Sequence, residues 1–82
     1  MKLDAKDFWR GIDKLAAKHG LTRSGLARRA GLDPTCFNKG KRTQPNGKPR
    51  WPGTESIALV LHATGETMTT FIGLMGKKAA RP

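Results

Sequence analysis

Acidic residues are scarce in this chain: six Asp and Glu stand against sixteen Lys and Arg, for a net charge of +10 over 82 residues. Cysteine is scarcer still. Cys36 has no intrachain partner, so the fold does not depend on oxidation and a reducing cytoplasm is the expected setting. Soft metal ligands are equally few, and the spacings of 17 and 26 between His19, Cys36 and His62 match no usual zinc finger or knuckle. No apolar run approaches the ~20 residues of a membrane span, and the N-terminus is charged rather than signal-like. Paired carboxylates, a Ser/His arrangement and a GxxxxGK loop are all missing, so the chain is not expected to be an enzyme or to hold a cofactor or metal.

What is present is positive charge, unevenly placed. The balance is +2 over residues 1–22, +7 over 23–50, −2 over 51–76 and +3 over 77–82. A pI near 10.8 points to a polyanion, either nucleic acid or an anionic membrane. A membrane-surface helix would set its bases opposite a broad apolar face. Residues 38–50 have no such face, which favours nucleic acid.

Periodicity places helices on both sides of this basic stretch. Phe8, Trp9, Ile12, Leu15 and Ala16 recur at helical spacing in "AKDFWRGIDKLAAKH", with Asp4 or Asp7 near the start and Gly20 as terminator. Gly11, inside it, predicts a close helix crossing. Thr22 is placed to cap a second helix, "RSGLARRA", with Leu26, Ala27 and Ala30 as its apolar stripe. Gly31 ends it, and Asp33 with Pro34 predicts the start of a third. "TQPNGKPRWPG" is loop, with Asn46-Gly47 as its turn and Trp51 as an apolar anchor. Thr54 is expected to cap a fourth helix with Ile57, Val60 and Leu61 inward, and Thr67 to open a fifth, "MTTFIGLM". The expectation is an all-α, five-helix domain over residues 1–76, with 77–82 as a tail or the start of a linker.

Residues 23–42 carry the most specific pattern. A helix-turn-helix needs a small residue midway along its first helix, a residue able to reach positive φ four positions later, and apolar anchors beyond. Ala27, Gly31, Leu32 and Phe37 fall at those intervals. That spacing puts Pro34, Thr35, Asn38 and Lys39 on the outer face of the third helix, the part that enters a major groove. Asn pairs bidentately with adenine, Lys reaches guanine, and Thr offers a hydroxyl and a methyl. Thr22, Lys41, Arg42, Lys48, Arg50 and Thr54 are the candidate phosphate contacts.

These features resemble the lambda-repressor-like helix-turn-helix domain of the Cro/CI (XRE) type. "GLARRAGLDPTCFNKGKR" followed by "GKPRWPGTESIALVL" is similar to the N-terminal domain of phage-type repressors that continue into a LexA-like peptidase domain. The likeness covers about residues 8–75, with "DPTCFNK" and "PRWPGTESI" its most specific parts. It implies a repressor that binds double-stranded DNA. Arg23 stands where that family often has a phosphate-binding Gln, and a phosphate role is carried over to it. The chain ends at Pro82 without a Ser/Lys dyad, which leaves two expectations open, a stand-alone DNA-binding protein or the first part of a repressor with a peptidase-like domain; "GKKAARP" looks like the start of a linker.

Blander readings stand beside these. Thr35, Asn38 and Lys39 would also suit a solvated face, and Lys48 and Arg50 an ordinary wet loop. Cys36 reads as a packing residue, His19 as a helix-end cation and His62 as a rim residue. Ile72, Leu74 and Met75 are candidates for a homodimer contact, which would set two recognition helices about 34 Å apart on a pseudo-palindromic operator. Two other functions share the composition: an antitoxin that also binds a toxin protein, and a non-specific nucleic-acid-binding module.

Overall fold

Residues 3–76 are described in the computed structural model, which is all-α: α1 (Ala5–Lys18), α2 (Arg23–Arg29), α3 (Thr54–Thr64) and α4 (Met68–Leu74), with a 3-10 turn at Lys39–Lys41. Among these residues there is no strand, only an isolated antiparallel bridge between Thr43 and Pro49. The expected tail, 77–82, lies outside the described residues.

Side chains close the helix starts. Asp4 and Asp7 form a reciprocal capping box, each carboxylate accepting the other's backbone N–H at 3.1 and 2.9 Å. Thr22 and Thr67 each accept the N–H three residues on, from Gly25 and Thr70. Such caps satisfy donors that have no partner inside the helix. The start of α3 departs from expectation. Its first i to i+4 bond runs from Ile57 N–H to Gly53 O, so Gly53 is the cap position and Thr54 already lies inside the helix.

Three helix ends repeat one geometry. Leu21, Leu32 and Glu66 donate back five residues to Ala16, Ala27 and Leu61 at 2.8, 2.8 and 3.0 Å. This Schellman bond needs a left-handed residue just before the donor, and Gly31, at φ 76°, supplies it after α2. Leu21 and Leu32 then pack against the core.

α1 is the central element and packs against α4 and α2, while α2 packs against α3. Trp9, Ile12, Leu15 and Ala16 meet Leu26 and Ala27, then Phe37, Ile57, Val60, Leu61, Phe71 and Met75 in one buried cluster. The close crossing falls at Gly11, where a Cβ would lie 2.9 Å from Phe71 Cζ and 3.2 Å from Met75 Cγ. Arg10 fastens the same junction, donating to Asp7 Oδ1 at 3.0 Å and to Met75 O at 2.8 Å. At the other end of α1, Lys18 and His19 converge on Glu66 Oε2 at 3.0 and 2.7 Å.

Two expectations are corrected here. Met75 does not lie on an outer face: it is 0% exposed, because it shares with Phe71, four residues earlier, the face that meets Gly11. Met68 is instead 47% exposed, while Ile72 and Leu74 are partly buried. The five-helix count also fails. The third helix expected from Asp33 does not form, and turns occupy its place.

Candidate nucleic-acid interface

Asp33 makes the bond of a helix cap, its Oδ1 accepting from Thr35 N–H at 2.8 Å and from the Thr35 hydroxyl at 2.6 Å, but the backbone does not go on into a helix. The backbone bonds that follow all span three residues: Cys36 to Asp33, Asn38 to Thr35, Lys41 to Asn38 and Arg42 to Lys39. Asn38 is extended, at φ −64° and ψ 149°, and interrupts the run. Thr35, Asn38 and Gly40 are all weak helix formers.

Side chains reaching α1 set the shape of this turn segment. Phe37 is buried edge-on to Trp9, with ring centroids 6.4 Å apart. Arg42 lies over the Trp9 ring, 4.8 Å from its centroid. Its fork donates to Phe37 O at 2.9 Å and to both Asp13 oxygens at 2.6 and 2.9 Å. With its side chain only 13% exposed, Arg42 is a structural tie, and its expected phosphate role is withdrawn. Arg23 also donates to Asp13, through Nε at 3.0 Å, but keeps its side chain 40% exposed. Partial burial raises the Asp13 pKa, and the hydrogen bonds and charges of Arg42 and Arg23 outweigh this, holding it below the ordinary carboxylate value.

A hairpin follows. Gly47 N–H donates to Gln44 O, Gln44 N–H to Lys48 O and Arg50 N–H to Arg42 O. Gly47, at φ 85°, takes the left-handed position that a three-residue hairpin loop requires. Asn46 Oδ1 accepts from Lys48 N–H at 3.0 Å. The Trp9 indole N–H donates to Arg50 O at 2.7 Å and pins the hairpin to α1. Trp51 packs against Phe8, with centroids 5.5 Å apart, yet stays 54% exposed.

The base-reading candidates Thr35, Asn38 and Lys39 are exposed on the turn segment, and Pro34 is half-buried. Lys41 Nζ lies 3.5 Å from Thr35 Oγ1, bringing a phosphate candidate to a base-reading one. Lys48 and Arg50 are exposed on the hairpin, and Thr22 and Thr54 are exposed at helix starts. Ala27 and Phe37 are buried, Leu32 packs against the core and Gly31 takes a positive φ, but no α-helix follows Gly31 before Thr54, so the helix-turn-helix expected of these four residues does not form. Lys39, Lys6 and Arg10 line an open groove of about 830 Å³ together with Trp9, Asp13 and Arg42. Lys41 and Arg50 border a smaller hollow of about 330 Å³ beside Trp51 and Ser56.

Asp13 was missed as a site residue in the sequence. Its partners Arg23 and Arg42 stand 10 and 29 residues away, so helical spacing carries no trace of the pairing. The only signal was a lone carboxylate beside the inward Ile12 in a chain rich in arginine. At Cys36, burial first and then the nearby Asp33 charge push the thiol pKa up, which disfavours the thiolate. Among the described residues no three of His, Cys, Asp or Glu converge on a metal position, and no single helix is long and apolar enough to cross a membrane. Comparison with protein-family models, curated proteins and solved structures finds no match for this chain.

Proposed function

We propose that this chain is a sequence-specific double-stranded DNA-binding regulator of transcription, acting as a repressor by occupying a promoter. In this reading the motif has no recognition helix, and the turn segment after α2 offers Asn38, Lys39 and Thr35 to the major groove in its place. One observation carries this reading. Arg28, Arg29, Lys39, Lys41, Lys48 and Arg50 are exposed and form no ion pair among the described residues. In the chain they stand on both sides of exposed Thr35 and Asn38, whose side-chain types suit base edges. Unpaired cations of this density suit a phosphate backbone, which supplies affinity, while the polar pair between them supplies choice of sequence.

Selection from a random duplex library at about 150 mM salt, where purely electrostatic binding is weakened, tests the reading directly. A recovered pseudo-palindrome is expected, and its half-site spacing reports the geometry of a homodimer. Asn38→Ala should then lower affinity for the selected duplex by roughly 1–3 kcal/mol and leave a scrambled duplex unaffected. Binding that enriches no motif and collapses with salt would leave only a non-specific electrostatic grip.

A further inference from the structure

The turn segment carries the exposed polar side chains, yet it has no helical ladder to hold them. Its backbone bonds are single three-residue turns broken at Asn38. Short 3-10 pieces have poor hydrogen-bond geometry and rarely persist alone. Something else must hold the segment, and Arg42 stands at its end. Nε and Nη2 donate to Phe37 O at 3.3 and 2.9 Å, closing the segment into a loop. Nη1 and Nη2 donate to Asp13 Oδ2 and Oδ1 at 2.9 and 2.6 Å, fixing that loop to α1.

The same carboxylate holds a second arm. Asp13 Oδ1 also accepts Arg23 Nε at 3.0 Å. This engages the inner edge of that guanidinium, while the side chain remains 40% exposed at the start of α2. One negative charge thus serves two guanidinium groups, and without it they would face each other as like charges. A planar fork on a carboxylate is directional, so Asp13 constrains where both arms point.

We infer that Asp13 is the positioning residue of the DNA interface: by gripping Arg42 and Arg23 together, it sets the base-reading turn and a phosphate-contacting arm in one fixed relation. This rests on the DNA-binding reading above. Asp13 itself touches no base or phosphate. It acts on sequence preference by restricting the geometries in which Asn38 and Lys39 are presented.

Asp13→Asn in the full chain separates this role from plain electrostatics. Losing one negative charge raises affinity for any duplex, so the scrambled duplex should bind somewhat more tightly. The ratio of selected to scrambled affinity should nevertheless fall roughly tenfold, the equivalent of about one base contact. Glu55→Gln makes the same charge change at an exposed position on α3 and should strengthen binding to both duplexes alike. Arg42→Lys keeps the charge but loses the fork, and should cost the same tenfold preference. Amide hydrogen exchange supplies a readout without DNA: in both Asp13→Asn and Arg42→Lys, protection at Cys36, Asn38, Lys41 and Arg42 should drop while α3 keeps its protection.

Equal gains of Asp13→Asn on both duplexes, or unchanged exchange at 36–42, would overturn the inference. Loss of protection in α3 as well would overturn it too, since Asp13 would then be a general stability residue. A wild-type chain that prefers no duplex would sink the DNA reading instead, and with it any role of Asp13 in base choice, even if the exchange data still showed the clasp.

Discussion

α1 and the stretch between α2 and α3 meet their backbone needs in opposite ways. α1 closes itself, with a capping box at Asp4 and Asp7 and a back-bond from Leu21 to Ala16. The stretch from Gly31 to Gly53 reaches outward for its shape: Phe37 goes into the core, Arg42 to Asp13, and the Arg50 carbonyl to the Trp9 indole. Every one of those anchors ends on α1 or on residues packed against it. The segment held in this way still leaves Asn38, Lys39, Lys41 and Lys48 exposed.

If the contrast is sound, its strongest test is to remove the inner anchor of the irregular stretch. Phe37→Ala deletes a fully buried ring and should cost about 3–5 kcal/mol, a large share of the roughly 5–15 kcal/mol that a domain has in total. Denaturant titration should find the variant at the edge of folding; a loss below about 1 kcal/mol would mean that the stretch is not part of the core. The self-closed element is probed next. Gly11→Ala gains up to about 1 kcal/mol of helix propensity, against about 1–3 kcal/mol for crowding Phe71 and Met75. A net loss near 1 kcal/mol in thermal unfolding is expected, and a more stable variant would show that the α1–α4 crossing is loose.

Acid sharpens the comparison further. Arg42 and Arg23 hold the Asp13 carboxylate below its ordinary value, so its contribution is complete above about pH 4 and is lost as pH falls through the folded-state value. Amide exchange over 33–42 should therefore rise below that pH in the wild type, and Asp13→Asn should abolish the part of the change due to this group. Glu66, lowered by hydrogen bonds from Lys18 and His19 despite some desolvation, follows the same sign at the far end of α1. The smallest effect is expected at the exposed hairpin. Lys48→Ala should leave unfolding unchanged, weaken all duplexes alike and flatten the salt slope by roughly one unit. A sequence-selective loss would remove Lys48 from the phosphate set.

The split also marks how far the fold was legible in the sequence. Elements governed by neighbours in the chain read correctly: the caps at Thr22 and Thr67, the terminator Gly31, the Asn46-Gly47 turn and the close approach at Gly11. Errors collect where two local signals competed or where the partner was remote. Asp33 and Pro34 read as a helix start, and Asp33 does cap Thr35, yet three-residue backbone bonds and the extended Asn38 give turns. Arg42 and Arg50 are alike in composition, and only the fold shows that one faces Asp13 and the other solvent. Met68 and Met75 both match the helical stripe of α4, but Gly11 makes room only where Phe71 and Met75 cross it.

The three-residue turns between Asp33 and Arg42 have a consequence for sequence variation. In an α-helix each residue carries propensity and ladder bonds, so a change on the outer face is felt along the whole element. Here the side chains of Asn38, Lys39 and Lys41 contribute no anchor to the core, and Asn38 makes no side-chain cap. A library randomised at these three positions, with Asp13, Phe37 and Arg42 left intact, should keep most of its members folded. The segment would then be a replaceable cassette, open to new outward chemistry while its frame stays the same.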